Sequence, residues 1–169
     1  MIHRYEIEGF GGRIVLWGNR LEVYAISLTE NRLSVLESRF DKMSRLVITG
    51  KSTDPLPVAL GYYLKTGVYD ISLLPVFLWG TTFQLEVWKS LRELEAGEVI
   101  TYGRLAEKIG RPGAARAVGN ALRENPIPIV IPCHRVVSST GIGGYAGGVE
   151  LKRRLLFLDR IKPKKTICS

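Results

Sequence analysis

Three prolines in eight residues constrain this chain more than any other feature. The run Asn125-Pro126-Ile127-Pro128-Ile129-Val130-Ile131-Pro132 is apolar after its first residue. Proline fixes its own φ, donates no ladder hydrogen bond, and pushes the residue before it toward extended backbone. The run reads as a stiff, buried, irregular segment that delivers the next residue, Cys133, to a fixed place. His134, Arg135 and Val136 follow. A thiol is a strong nucleophile only as thiolate, and a nearby imidazole or cation favours that form. Neighbouring side chains need not touch, so a buried structural cysteine followed by a surface histidine stays open at this point.

The segment before this run reads as two short helices. Tyr102 to Ile109 follows Thr101, a residue suited to an N-cap. Gly110-Arg111-Pro112-Gly113 is a tight turn, and Ala114 to Arg123 is the second helix. Two helices joined by a short Gly-containing turn match a helix-turn-helix. On the second helix Ala114, Ala117, Val118, Ala121 and Leu122 are small or apolar. Arg116, Asn120 and Arg123 recur at i, i+4 and i+7 as a polar stripe. That stripe is either a solvated face or a surface for nucleic acid. Gly119 in mid-helix costs about 1 kcal/mol and calls for a steric reason such as close approach. Upstream, Thr81-Thr82-Phe83-Gln84 fits a capping box. Phe83, Val87, Leu91 and Leu94 then form an apolar stripe that ends at Gly97, with Trp88 beside it as a core residue.

Charge separates the two halves. Residues 1–78 hold nine Lys/Arg against eight Asp/Glu, and residues 79–169 hold fifteen against eight, so nearly all of the net +8 lies in the second half. A basic half suggests a polyanion as partner. The first half reads as a small α/β scaffold. Tyr5–Glu8, Arg13–Trp17 and Leu21–Leu28 have strand character, with turns at Gly11-Gly12 and Gly18-Asn19. Leu33, Leu36 and Phe40 have helical spacing, Arg45–Thr49 is a further strand, and Pro57–Leu64 is a helix ending at Gly67. The boundary falls between Leu74 and Gly80, giving parts 1–78 and 79–169. Two cysteines, Cys133 and Cys168, exclude a disulfide framework and a four-cysteine zinc site. Cys168 reads as an exposed, non-catalytic thiol. The start carries no signal peptide, and the apolar run Ile71–Trp79 is too short for a membrane span. A cytoplasmic protein is expected, nucleoid-associated in a prokaryote and nuclear in a eukaryote.

Asn-Pro, an apolar run and Pro-Cys-His-Arg-Val together resemble the active-site signature of the O6-alkylguanine-DNA alkyltransferases. Thr81–Trp88, Thr101–Ala106, Arg116–Ala121 and Gly143–Gly148 stand at family-like spacing, so the resemblance covers residues 58 to 159. It implies a ribonuclease-H-like α/β first part and a mostly helical second part with a helix-turn-helix, an α/β (α+β) fold overall. It implies a monomer acting on double-stranded DNA that contains O6-alkylguanine, with O4-alkylthymine as a possible further substrate. The flipped base would react with Cys133 in a single displacement, and the thioether formed would end the protein's activity after one turnover.

The resemblance also assigns roles. His134 is the base, acting through a water. Asp159 stands where the family has Glu, one methylene shorter, and orients His134. Tyr102 crowds the target phosphate and assists the leaving guanine, and Asn125 braces the turn before the active-site run. Arg116 fills the space left by the flipped nucleotide. Ala117, Asn120, Arg123, Tyr102 and Arg135 complete the DNA-contacting set. The Val136 carbonyl, Tyr145, Ala146 and Lys152 line the base pocket, with Ala146 where the family often has Ser. No cofactor and no metal is implied. Some family members hold a structural zinc in the first half, but His3 is the only His or Cys there. Three rivals remain: a lesion-binding module of the alkyltransferase-like type, which lacks the cysteine; a Cys-His hydrolase, which needs an oxyanion hole; and a plain DNA-binding regulator.

Overall fold

Hairpin geometry sets the first half. The computed structural model describes residues 2–19, 21–41, 47–49, 54–67 and 71–160. Strands β1 (Ile2–Gly9) and β2 (Gly12–Gly18) pair antiparallel through the turn Phe10-Gly11, whose φ values are 53° and 80°. Positive φ at both central residues matches the natural twist of the strands. β3 (Val23–Ser27) pairs antiparallel with β2, and β4 (Val47–Thr49) pairs parallel with β1. The sheet order is therefore β3-β2-β1-β4.

Alternation sends the two sets of strand side chains to different partners. Val15, Trp17 and Ala25 pack with Leu33, Leu36 and Phe40 of helix α1 (Glu30–Asp41). Tyr5, Ile14, Leu16 and Ile26 face the other way, into the core that includes helix α2 (Pro55–Thr66). Proline in the first turn of α2 sacrifices no intrahelical bond, and Gly67 at φ 65° closes the helix. That core continues through Trp88 and Val118 to Cys133 and Leu155, so the two halves share buried apolar surface.

The second half holds the expected helices. Helix α3 (Thr82–Arg92) opens with a full capping box: Thr81 Oγ1 accepts from the Gln84 amide at 3.3 Å, and Gln84 Oε1 accepts from the Thr81 amide at 2.9 Å. It stops at Arg92, earlier than the Gly97 expected from the stripe. Leu94 is buried in the turn beyond it, so the apolar stripe outlasts the helix. Trp88 is in the core, its Nε1 donating to the Ala121 carbonyl at 2.9 Å. Strand β5 (Ile100–Thr101) leads into α4 (Tyr102–Lys108), capped by Thr101, and α5 (Ala115–Arg123) follows the turn at Gly110 and Gly113. β6 (Val136–Val137) pairs parallel with β5, and α6 (Val149–Asp159) closes the described chain. Among the described residues, six α-helices with a four-stranded and a two-stranded sheet make the mixed α/β architecture expected. Among the described residues no helix is long and apolar enough to cross a membrane. Cys168 and residues 45 and 46 of the expected fourth strand lie outside the described residues.

Candidate active site

The proline-rich run builds the site by tying itself to Asn125. Asn125 Oδ1 accepts from the Ile127 amide at 3.0 Å, and its Nδ2 donates to the Ile131 carbonyl at 3.0 Å and to Cys133 Sγ at 3.1 Å. The Ile26 amide of β3 donates to the Pro126 carbonyl at 2.9 Å, anchoring the run to the sheet. Ile127, Ile129, Val130 and Ile131 are fully buried. Ile129 has φ 76°, a rare conformation for a β-branched residue, held here by burial on all sides. The run ends in a 3-10 turn, Cys133–Arg135, before β6.

Asp159 gathers the buried polar groups. Its Oδ2 accepts from His134 Nε2 at 2.9 Å and from Arg135 Nε at 2.7 Å. Its Oδ1 accepts from Arg135 Nη2 at 3.2 Å and from the Tyr63 hydroxyl at 3.0 Å. Burial alone would raise the Asp159 carboxyl. The bonds and charge from His134 and Arg135 outweigh it and hold the group well below the usual carboxylate range. Burial lowers the His134 pKa against the pull of Asp159 and so favours the neutral imidazole. With Nε2–H on Asp159, its buried Nδ1 is the proton acceptor and has no protein partner among the described residues.

Arg135 corrects one expectation. The resemblance places it with the DNA-contacting residues, yet it is 2% exposed, and its Nη1 also donates to the Leu94 carbonyl at 2.7 Å. All of its reach is spent inside. Lys152 and Val136 correct a second. Lys152 Nζ donates to the Val136 carbonyl at 2.6 Å and to the Gly144 carbonyl at 3.1 Å, and neither side chain is exposed. They pin the Gly144 loop to β6 and do not form the cavity wall.

The Cys133 thiol is also not ionised in advance. Burial raises its pKa, and the hydrogen bond from Asn125, the nearby Tyr145 hydroxyl, its own backbone and the charge of Lys152 offset this only in part. The Tyr145 hydroxyl is fully buried. It lies close enough to Cys133 to shift that thiol, although it meets no partner in full hydrogen-bond geometry among the described residues. Burial and the neighbouring Cys133 raise the phenol of Tyr102 as well, so it stays protonated.

Cys133 opens on a cavity of about 560 Å³. Tyr102, Asn125, Tyr145 and Ala146 stand on its wall, and the stripe Arg116, Asn120 and Arg123 borders it from α5. Those three residues are exposed, as is Ala117, which lies off the cavity. Among the described residues a Cβ added at Gly119 would meet only the Tyr102 ring, at an ordinary 3.8 Å, so no contact there demands glycine. Gly143 differs: at φ 72° its added Cβ would come within 3.3 Å of the Tyr102 hydroxyl. The first half, read as pure scaffold, supplies Leu28, Thr29 and Arg32 to the wall and Tyr63 to Asp159. Tyr63 continues the apolar spacing of Leu56 and Leu60 on α2, and nothing in that pattern marks its hydroxyl. Among the described residues no three His, Cys, Asp or Glu converge as a metal would need.

A helix-turn-helix whose exposed cationic stripe borders a cavity floored by a buried cysteine, followed in the chain by a histidine paired with an aspartate, defines a cysteine-nucleophile protein built to face nucleic acid. Comparisons with known proteins agree. Residues 82–161 match the family described as 6-O-methylguanine DNA methyltransferase, DNA binding domain. A methylated-DNA–protein-cysteine methyltransferase of Shigella flexneri is 45% identical over 129 residues, 76% of this chain and 75% of that one. The Mycobacterium tuberculosis OGT solved in complex with DNA superposes with a TM-score of 0.78 at 34% identity, covering 95% of each chain. The O6-methylguanine-DNA methyltransferase of Pyrococcus kodakaraensis gives 0.65 at 27% identity, covering 94% of this chain and 99% of that one. This chain belongs to the methylated-DNA–protein-cysteine methyltransferase family.

Proposed function

We propose that the protein repairs O6-alkylguanine in double-stranded DNA by moving the alkyl group to its own Cys133, acting as a monomer and once per molecule. The carrying observation is the Cys133 thiol at the cavity wall, with Asn125 bound to its sulfur and the next residue, His134, paired with Asp159. Residues 1–78 serve as the scaffold part and residues 79–169 as the part that meets DNA.

An O6-alkyl carbon is buried in a duplex, so the nucleotide must rotate out to meet the sulfur. The Arg116 side chain enters the gap left in the stack, while Asn120, Ala117 and Arg123 lie along the backbone of the duplex. Neutral His134 takes the thiol proton on Nδ1 through a bridging water. The thiolate attacks the alkyl carbon, the S–C bond forms as the C–O6 bond breaks, and the bonding pair leaves on guanine. Protonated Tyr102 gives its proton to the leaving base, and the proton held by His134 then returns through water to the Tyr102 phenolate, so the net transfer is one proton from sulfur to guanine. The raised Cys133 pKa fits this order, because the thiolate forms when a substrate is seated. Tyr145, Ala146 and the Gly-rich loop close on the flat base. The thioether has an sp3 carbon that gives water no route back to the thiol.

Intact-protein mass after incubation with excess O6-methylguanine duplex tests this. One added methyl on Cys133 is expected, with none in Cys133→Ala, which should still bind DNA. Repeated turnover, or a label on another residue, would overturn the reading.

A further inference from the structure

Helix α2 belongs to the half of the chain that carries no nucleophile, yet its Tyr63 reaches the interior of the other half. The residue is 2% exposed, and its hydroxyl donates to Asp159 Oδ1 at 3.0 Å across 96 residues of sequence. A carboxylate can only accept, so the direction of this bond is fixed.

The other contacts of Asp159 make this bond matter. Arg135 grips both oxygens along one edge, Nε on Oδ2 and Nη2 on Oδ1. A bidentate grip sets the carboxylate plane along the edge that faces Arg135. Tyr63 adds a second donor to Oδ1, the oxygen that His134 does not use, leaving Oδ2 to receive His134 Nε2 at 2.9 Å. Arg135 is itself held at Nη1 by the Leu94 carbonyl. Each oxygen thus has two donors, and the rotation that would lift Oδ2 from His134 breaks the Tyr63 bond. Aspartate is the shorter of the two acidic side chains, so its reach leaves little room for error.

We propose that Tyr63 is a positioning residue for alkyl transfer: its hydroxyl locks Asp159 so that the carboxylate holds Nε2–H of His134 and leaves Nδ1 to receive the Cys133 proton. The idea rests on the alkyl-transfer reading above and makes the first half part of the acid–base apparatus. The charged groups that act on His134 are Asp159 and Lys152 on α6 and the adjacent Arg135. Of these only Arg135 also donates to Asp159 Oδ1, at 3.2 Å.

The test uses the full chain with Tyr63→Phe, which keeps the ring and its packing. Two readouts are taken. The first is the tautomer of His134, read by 15N chemical shifts without any substrate. The unaltered protein should show the Nε2–H form, and Tyr63→Phe a mixture with the Nδ1–H form. The second is the single-turnover rate on O6-methylguanine duplex from pH 6 to pH 10. Losing one such bond should slow transfer about five- to tenfold near neutrality. The shortfall should shrink as pH rises, because hydroxide then makes the thiolate without His134. An unchanged tautomer overturns the proposal, as does a rate loss equal at every pH, which is what a merely structural tyrosine would give. If the unaltered protein transfers no methyl at all, the function proposed above fails instead, while the tautomer result still decides the role of Tyr63.

Discussion

Arg135 and Asp159 form a two-point ion pair in the interior, Nε to Oδ2 at 2.7 Å and Nη2 to Oδ1 at 3.2 Å, with both side chains 2% exposed. Breaking such a pair from one side strands a charge out of water and costs about 3–5 kcal/mol. Arg135→Ala should therefore lower the urea unfolding midpoint strongly. DNA affinity, measured on the fraction still folded, should hold, because Arg135 does not reach the surface. Arg135→Lys should also be costly, since an ammonium cannot repeat the forked contact. A stable Arg135→Ala with weakened DNA binding would return Arg135 to the DNA-contacting set.

Asp159→Glu tests the fit of the same pair. The family has Glu at this position, so the sequence alone suggests a neutral or faster variant. Four donors already converge on Asp159, and an extra methylene has to displace them. Overpacking of this kind costs about 1–3 kcal/mol. The expected result is a less stable, slower protein, read by thermal melting and by single-turnover rate. A faster Asp159→Glu would mean that the donors readjust without cost.

Stability should fall in two steps on acidification. The His134 pKa is lowered in the folded chain, by burial first, so the unfolded chain takes up this proton sooner as pH falls. Its contribution is whole above about pH 6.5 and declines below that. The Asp159 pKa is also lowered, because His134 and Arg135 outweigh burial. Its contribution is present above about pH 4 and is lost only in stronger acid. Urea midpoints measured from pH 8 to pH 3 should show both declines. An NMR titration in which folded His134 protonates at its ordinary pKa would remove the first step.

Much of this arrangement is legible in the sequence where the signal is local. The capping box at Thr81 and Gln84, the Thr101 cap, the Gly67 stop and the buried character of Ile127 to Ile131 depend on near neighbours, and each reads directly from residue type and spacing. The polar stripe Arg116, Asn120 and Arg123 is likewise set by helical period. What cannot be read is long-range partnership. Arg135 is a cation beside His134, and only the position of α6 reveals that it faces Asp159. Lys152 is a charged residue on a surface-like helix, buried because the Val136 and Gly144 carbonyls converge on it. Tyr63 looks like a core aromatic, and its hydroxyl gains meaning only when the two halves pack. Pre-ionisation of Cys133 is the natural expectation from its histidine neighbour. Burial reverses it, and burial of a single atom is a property of the whole fold.

Arg116→Ala should separate base flipping from chemistry. Arg116 is exposed on α5 at the edge of the cavity. If it fills the gap in the stack, its loss exposes an unstacking cost of a few kcal/mol, about a hundredfold in rate on duplex DNA. Reaction with free O6-benzylguanine needs no flipping and should change little. The slope of log affinity against log salt should also shrink, by about 0.9 for each phosphate that is no longer neutralised. Equal slowing on duplex and free base would assign Arg116 to the fold or the pocket.

Asn125 should control both the shape of the active-site run and the acidity of the nucleophile. Its Nδ2 lies 3.1 Å from Cys133 Sγ, and that bond favours the thiolate against a burial effect that opposes it. Asn125→Ala should raise the thiol pKa further, so alkylation by iodoacetamide should need more alkaline pH than in the unaltered protein. Asn125→Asp should raise it more, because a carboxylate beside the sulfur repels a second negative charge. Both variants also leave the Ile131 carbonyl without its side-chain donor, a loss of about 1–3 kcal/mol that should appear as a lower unfolding midpoint. A pH profile of iodoacetamide labelling at Cys133 reads the first effect, and urea unfolding reads the second. If the labelling midpoint stays put in Asn125→Asp while stability falls, Asn125 only braces the run, and the thiol takes its acidity from Tyr145, Lys152 and its own backbone.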